Sequence, residues 1–192
     1  VFNPHKWLFT TFDCSCFYVA DSSALLDALS ILPEYLRNAA SESGAVVDYR
    51  DWQVPLGRRF RALKLWFVLR WYGAEGLRHH VREHVRLAGE LAGRIAADPR
   101  LELAAPVGLN LVCFRHADGD DATEALHRAL NATGRVYLTH TRLADRYVIR
   151  ATIGAWTTEE RHVDALWALV DDLAGRAFPA VPGVPRGSRG RR

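Results

Sequence analysis

Asn3-Pro4-His5-Lys6-Trp7 decides how the rest of the chain is read, because it holds one of only two lysines in 192 residues. The other is Lys64, and the remaining basic side chains counted with them are arginines. A guanidinium keeps its proton at any useful pH, whereas an ε-amine can be desolvated, deprotonated and condensed with an aldehyde. Lys6 can therefore do covalent chemistry that its arginine neighbours cannot. Its flanks anchor it: Pro4 stiffens the approach, His5 offers a ring that donates or stacks, and Trp7 begins an apolar run. On these residues alone two readings stand, an amine that captures a carbonyl compound and a surface lysine ahead of a strand.

Working outward, residues 7–19 are aromatic and β-branched with Asp13-Cys14-Ser15 in their middle. That pattern predicts two short strands, or one broken by a turn, with Lys6 at the edge of a buried sheet. Ser22 or Ser23 is placed to cap a short helix ending at Leu29. Regularity then fades across residues 30–52, and so long a loop in a compact domain marks function or motion. Beyond Pro55 and Gly57, Phe60, Leu63, Phe67 and Trp71 form one stripe at helical spacing, which predicts a core helix over residues 58–72. Gly73 and Gly76 interrupt it. The helical spacing resumes over residues 77–97 through Leu77, Val81, His84, Ala88, Leu91 and Ile95, and Asp98-Pro99 ends it.

Composition changes near Pro99. A strand over 109–114, a helix over 122–132 stopped by Gly134, strands over 136–140 and 147–153, and a last helix to about Arg176 predict a small α+β unit. Thr157, with Glu160 three residues on, reads as the capping box of that last helix. Tyr147, Ile149, Ala151 and Ile153 share one face of the final strand, and Val148, Arg150 and Thr152 the other. The organisation expected is a first domain over 1–98, a second over 99–178 and a disordered Pro/Gly/Arg tail over 179–192.

Bulk properties exclude several classes of function. With 49% apolar residues, six Trp, eight Phe and six Tyr, the chain can fill a core. No run approaches the roughly 20 apolar residues of a spanning helix, and no charged segment leads into a signal core. A soluble, cytoplasmic protein without a membrane partner is expected. Cys14, Cys16 and Cys113 are an odd set, which argues against a disulfide framework and fits a reducing compartment. The net charge of +3 owes everything to Arg186, Arg189, Arg191 and Arg192; without them the body is slightly negative, so no nucleic-acid partner is expected. There is no methionine at all, and the lysine motif begins at residue 3, from which a fragment of a longer protein is expected.

Asn3-Pro4-His5-Lys6-Trp7 followed by Phe12-Asp13-Cys14-Ser15 resembles the cofactor-lysine segment of the pyridoxal-phosphate-dependent aromatic-amino-acid decarboxylases, the group II decarboxylases. The resemblance continues through Leu32-Pro33-Glu34-Tyr35-Leu36, Asp48-Tyr49-Arg50-Asp51-Trp52-Gln53 and Pro55-Leu56-Gly57-Arg58-Arg59-Phe60, and more loosely to about Val170. It implies an α/β fold, the C-terminal portion of an aspartate-aminotransferase-like (fold type I) enzyme ending in a small α+β domain. It also implies pyridoxal 5'-phosphate as cofactor, an aromatic amino-acid substrate and a homodimer with sites built across its interface.

The same resemblance assigns roles. Lys6 is the residue that holds the cofactor aldehyde, and Asn3 contacts its phosphate. His5 either assists there or packs beside the lysine. Tyr35, in a loop that can close, supplies a proton to the substrate α-carbon; family members with phenylalanine at this position are associated with oxidative aldehyde formation, so tyrosine implies plain decarboxylation. Gly57 stands where the family brings backbone close to the active site, or is simply a turn glycine. Arg150 aligns with an arginine near the closing loop, with a structural ion pair as the favoured reading of a half-buried guanidinium. The ring that stacks on the cofactor and the acid that pairs with its pyridinium lie upstream in that family, so this chain alone is expected to be nearly inactive.

Two metal-like patterns carry less. His80-Val81-Arg82-Glu83-His84 fits HxxEH, but His84 falls on the apolar stripe and no third ligand is evident. Cys14-Ser15-Cys16 reads as core thiols, so no metal is expected. The alternative to an enzyme is a non-catalytic truncated paralogue acting as an interaction or dimerisation module, its long apolar helices exposing surface for a partner.

Overall fold

A computed structural model of the chain describes residues 1–31, 39, 43 and 45–176; Tyr35 and the tail 179–192 lie outside the described residues. The chain divides into two compact units, Val1–Ala74 and Glu75–Arg192. The compositional break at Pro99 therefore falls inside the second.

The first unit contains helix α1 (Pro4–Trp7), helix α2 (Ser22–Leu29), a 3-10 turn at Tyr49–Trp52 and the start of helix α3 (Arg61–Ala97). Pro4 sits at the start of α1, where its fixed φ suits a first helical position and its missing N–H costs nothing. The cap of α2 is Asp21 rather than either predicted serine: its carboxylate accepts from the Ser23 backbone N–H at 2.9 Å and the Ser23 hydroxyl at 2.6 Å. The strands predicted over residues 7–19 do not form. Their one ladder contact is an isolated antiparallel bridge between Phe2 and Cys16, with N–H···O distances of 2.9 and 2.7 Å. β-propensity needs a neighbouring strand to act on, and this unit offers none among its described residues.

The stripe predicted to be core is helical, but it is not buried. Phe60 is 75% exposed, Phe67 58% and Trp71 83%, and Trp66 beside them is 53% exposed. Inside α3, Gly73 leaves the helical region with φ 64° and ψ 176°, dihedrals open essentially to glycine alone.

In the second unit, the later part of α3 is followed by β1 (Leu101–Leu103), β2 (Leu111–His116), α4 (Asp120–Ala132), β3 (Thr139–Leu143), β4 (Arg146–Thr152) and α5 (Glu160–Ala174). The four strands form one antiparallel sheet in the order β1-β2-β4-β3. β3 and β4 are joined through Ala144 and Asp145, both at positive φ, as a tight two-residue hairpin requires. The predicted strand over 136–140 starts later, at Thr139, because the Asn131 side chain takes both backbone groups of Leu138 instead: Oδ1 accepts its N–H at 2.8 Å and Nδ2 donates to its carbonyl at 2.9 Å.

The core lies on one sheet face, where Val112, Phe114, Ile149, Ala151 and Ile153 pack with Leu87, Leu91 and Ile95 of α3, Leu126 and Leu130 of α4, and Val163 and Val170 of α5. Ile149, Ala151 and Ile153 thus share the predicted face. Helix α5 opens two residues after the predicted cap. Glu159 rather than Thr157 is the N-cap, closing a reciprocal box with His162, whose Nδ1 accepts the Glu159 N–H at 3.0 Å. Among the described residues no helix is long and apolar enough to cross a membrane.

Candidate active site

Lys6 lies on the single turn of α1, exposed, and its amine makes no hydrogen bond or ion pair among the described residues. Lys64 contrasts with it: its amine stands 3.9 Å from an Asp13 carboxylate oxygen.

The residues flanking Lys6 are held from one side by Asp13-Cys14-Ser15. Asn3 Oδ1 accepts the Ser15 hydroxyl at 2.7 Å, which leaves both hydrogens of its amide nitrogen available to donate. The His5 ring places Nδ1 2.6 Å from the Cys14 carbonyl and 3.1 Å from the Cys14 N–H, while the His5 backbone N–H donates to the same carbonyl at 3.3 Å. Phe12 meets the His5 ring edge-on at 5.1 Å. Asn3, His5 and Lys6 thus stand together at one short turn.

Asp13 is the hub that sequence reasoning missed. Its Oδ2 accepts from Arg61 Nε at 3.0 Å and from a terminal Arg61 nitrogen at 2.9 Å, and its Oδ1 from Arg59 at 3.0 Å. The Arg61 hydrogen bonds foremost hold the Asp13 carboxyl down at about 2. The signal was present as a lone acid inside an apolar run, with three arginines clustered at 58, 59 and 61. Asp13, Ser15, Gly57 and those arginines line a cleft of about 480 Å3. Gly57 is exposed on it, and a Cβ there would meet nothing within 4 Å.

The other sequence candidates stand elsewhere. Arg150 belongs to the second unit, on β4 between Cys113 of β2 and Thr139 of β3. The structural ion pair expected for it is absent among the described residues. In the HxxEH pattern, Glu83 is engaged by Arg86 and His84 Nε2 donates to the Ala155 carbonyl. No cluster of three metal-ligating side chains occurs among the described residues.

Comparison with known proteins adds the family. The pyridoxal-dependent decarboxylase conserved domain matches residues 1–117. Tyrosine decarboxylase 2 of Narcissus pseudonarcissus is 46% identical over 179 residues, covering 90% of this chain and 36% of that protein. Phenylacetaldehyde synthase of a Rosa hybrid cultivar is 46% identical over 187 residues, with the same 90% of this chain and 37% of its own. The crystal structure of Oryza sativa TDC with PLP and tryptamine superposes with a TM-score of 0.85 at 42% identity, over 90% of this chain and 37% of that one. The architecture is thus that of part of a fold-type-I enzyme. The chain spans little more than a third of the length of these relatives.

Proposed function

Because the chain belongs to the family of pyridoxal-dependent decarboxylases, we propose that it is the lysine-bearing part of an enzyme that converts an aromatic L-amino acid into its amine and carbon dioxide. One observation carries this reading: Lys6 is exposed and unpaired among the described residues, on the same turn as Asn3 and His5, whose side chains Ser15 and Cys14 hold in place. The donor set suits the cofactor, with a free amine for an aldehyde and two free amide hydrogens on Asn3 for a phosphate.

When bound, pyridoxal phosphate supplies the electron sink that makes loss of carbon dioxide possible. The protein's own residues do the rest. Lys6 would hold the cofactor by its aldehyde, and Asn3 would donate to its phosphate. His5, its ring tied to the Cys14 backbone, presents a fixed face beside the amine. Tyr35, outside the described residues, would supply through its phenol the proton for the substrate α-carbon. Tyrosine rather than phenylalanine at 35 supports amine release over oxidative aldehyde formation.

A homodimer is part of the same proposal, since the exposed aromatic stripe of α3 is what a partner's surface would cover. That stripe equally favours a second reading, a non-catalytic module that acts only by association.

Borohydride trapping separates the two. The chain is incubated with pyridoxal phosphate and reduced, and the modified lysine is located by peptide mass, with Lys6→Ala as control. Saturable labelling of Lys6 in preference to Lys64 is expected. Equal labelling of both lysines, or none, overturns the cofactor reading and leaves the association module.

A further inference from the structure

Asp13, Cys14 and Ser15 are consecutive, and each reaches a different group. Ser15 bonds the Asn3 amide, Cys14 bonds the His5 ring, and Asp13 accepts three hydrogen bonds from Arg59 and Arg61. The Cys14 thiol also lies 4.0 Å from the Arg61 carbonyl. We propose that Asp13 is a positioning residue for Lys6, its carboxylate clamping the Gly57–Arg61 segment to the Asn3–Lys6 turn through the bar formed by residues 13–15. The inference rests on the cofactor reading of Lys6 given above.

The physical basis is stiffness. Hydrogen bonds between ionised partners are shorter and stronger than neutral ones, and two guanidiniums approaching one carboxylate fix it in orientation as well as place. One residue of extended chain advances only about 3.3 Å, so Cys14 and Ser15 have little freedom once Asp13 is fixed. Through them the His5 ring and the Asn3 amide, on the same turn as Lys6, are fixed too. The same carboxylate faces Lys64 at 3.9 Å.

The test compares Asp13→Asn and Asp13→Glu with the unmodified 192-residue chain by hydrogen exchange and by the ratio of Lys6 to Lys64 labelling with pyridoxal phosphate and borohydride. In Asp13→Asn, exchange in residues 1–16 and 55–61 is expected to rise about tenfold, the opening of a locally clamped segment. The labelling ratio is expected to fall by about tenfold as Lys6 loses its setting. Asp13→Glu, which keeps the charge, restores both, and exchange in residues 75–176 stays unchanged throughout. Unchanged exchange at residues 55–61 in Asp13→Asn overturns the clamp, as does faster exchange spread over residues 75–176, which marks a general folding defect. Absence of Lys6 labelling in the unmodified chain overturns the cofactor reading alone, and exchange then decides the clamp by itself.

Discussion

His84 Nε2 donates to the backbone carbonyl of Ala155 at 3.1 Å, joining α3 to the segment before α5 with the imidazole almost wholly buried. Burial foremost lowers its pKa below the ordinary 6.5, with His80 adding to the effect and the Ala155 carbonyl and Glu83 opposing it. A histidine whose folded pKa is depressed contributes stability that is complete above its unfolded value and lost as pH falls. The second unit should therefore lose stability as pH drops below about 6.5. Urea titrations at several pH values check this, and His84→Gln should flatten the slope.

Asp13 behaves in the same sense at a more acid pH. Its pKa is lowered from 3.8 to about 2, so its hold on Arg59 and Arg61 is complete above 3.8 and fails only as pH falls through about 2. Proton exchange or NMR of residues 55–61 across an acid titration should show the segment released in that window. Asp13→Asn should show it released at every pH.

Gly73→Ala isolates a backbone effect, because a Cβ at Gly73 meets nothing within 4 Å. The conformation itself is the obstacle, and a cost of about 1–3 kcal/mol is expected from strain alone. Thermal or denaturant unfolding measures it. Gly76→Ala, placed within ordinary helix, should be neutral or stabilising.

Trp66, Phe67 and Trp71 present apolar surface of the kind that becomes an anchor when covered. Sedimentation of the chain should reveal concentration-dependent association. Phe67→Ser and Trp71→Ser should each weaken it by about 1–2 kcal/mol, and the secondary structure of the second unit should be unaffected.

How far the sequence could be read depended on whether a segment's partners are close at hand. The second unit was legible because its periodicities are answered within it: Ile149 and Ala151 of β4, with Ile153 just after it, alternate and share a core with Leu126 and Leu130 of α4. Helix starts shifted by a residue or two where side chains competed for the cap, as Asp21 and Glu159 did. In the first unit the pattern misled twice. Residues 7–19 have the composition of strands without a sheet to join, and Phe60, Phe67 and Trp71 have the spacing of a core face without a core over it. Periodicity tells which side of a helix is apolar; it does not say what covers that side. Of the candidate site, Asn3, His5 and Lys6 are adjacent in the sequence and share one turn, whereas Asp13 meets arginines 46 and 48 residues away, which no local pattern shows.

The order β1-β2-β4-β3 leaves β1 and β3 as the outer strands of the second unit's sheet. β1 is only three residues long, with exposed Glu102 at its centre, and β3 carries exposed Arg142 beside its hairpin. Short, charged edges give an incoming strand little backbone to zip onto and a desolvation cost where it would have to. Fibril growth by strand addition is thus blocked at both sides, and when this polypeptide leaves solution it should do so by clumping through aromatic side chains, in deposits that bind no amyloid dye.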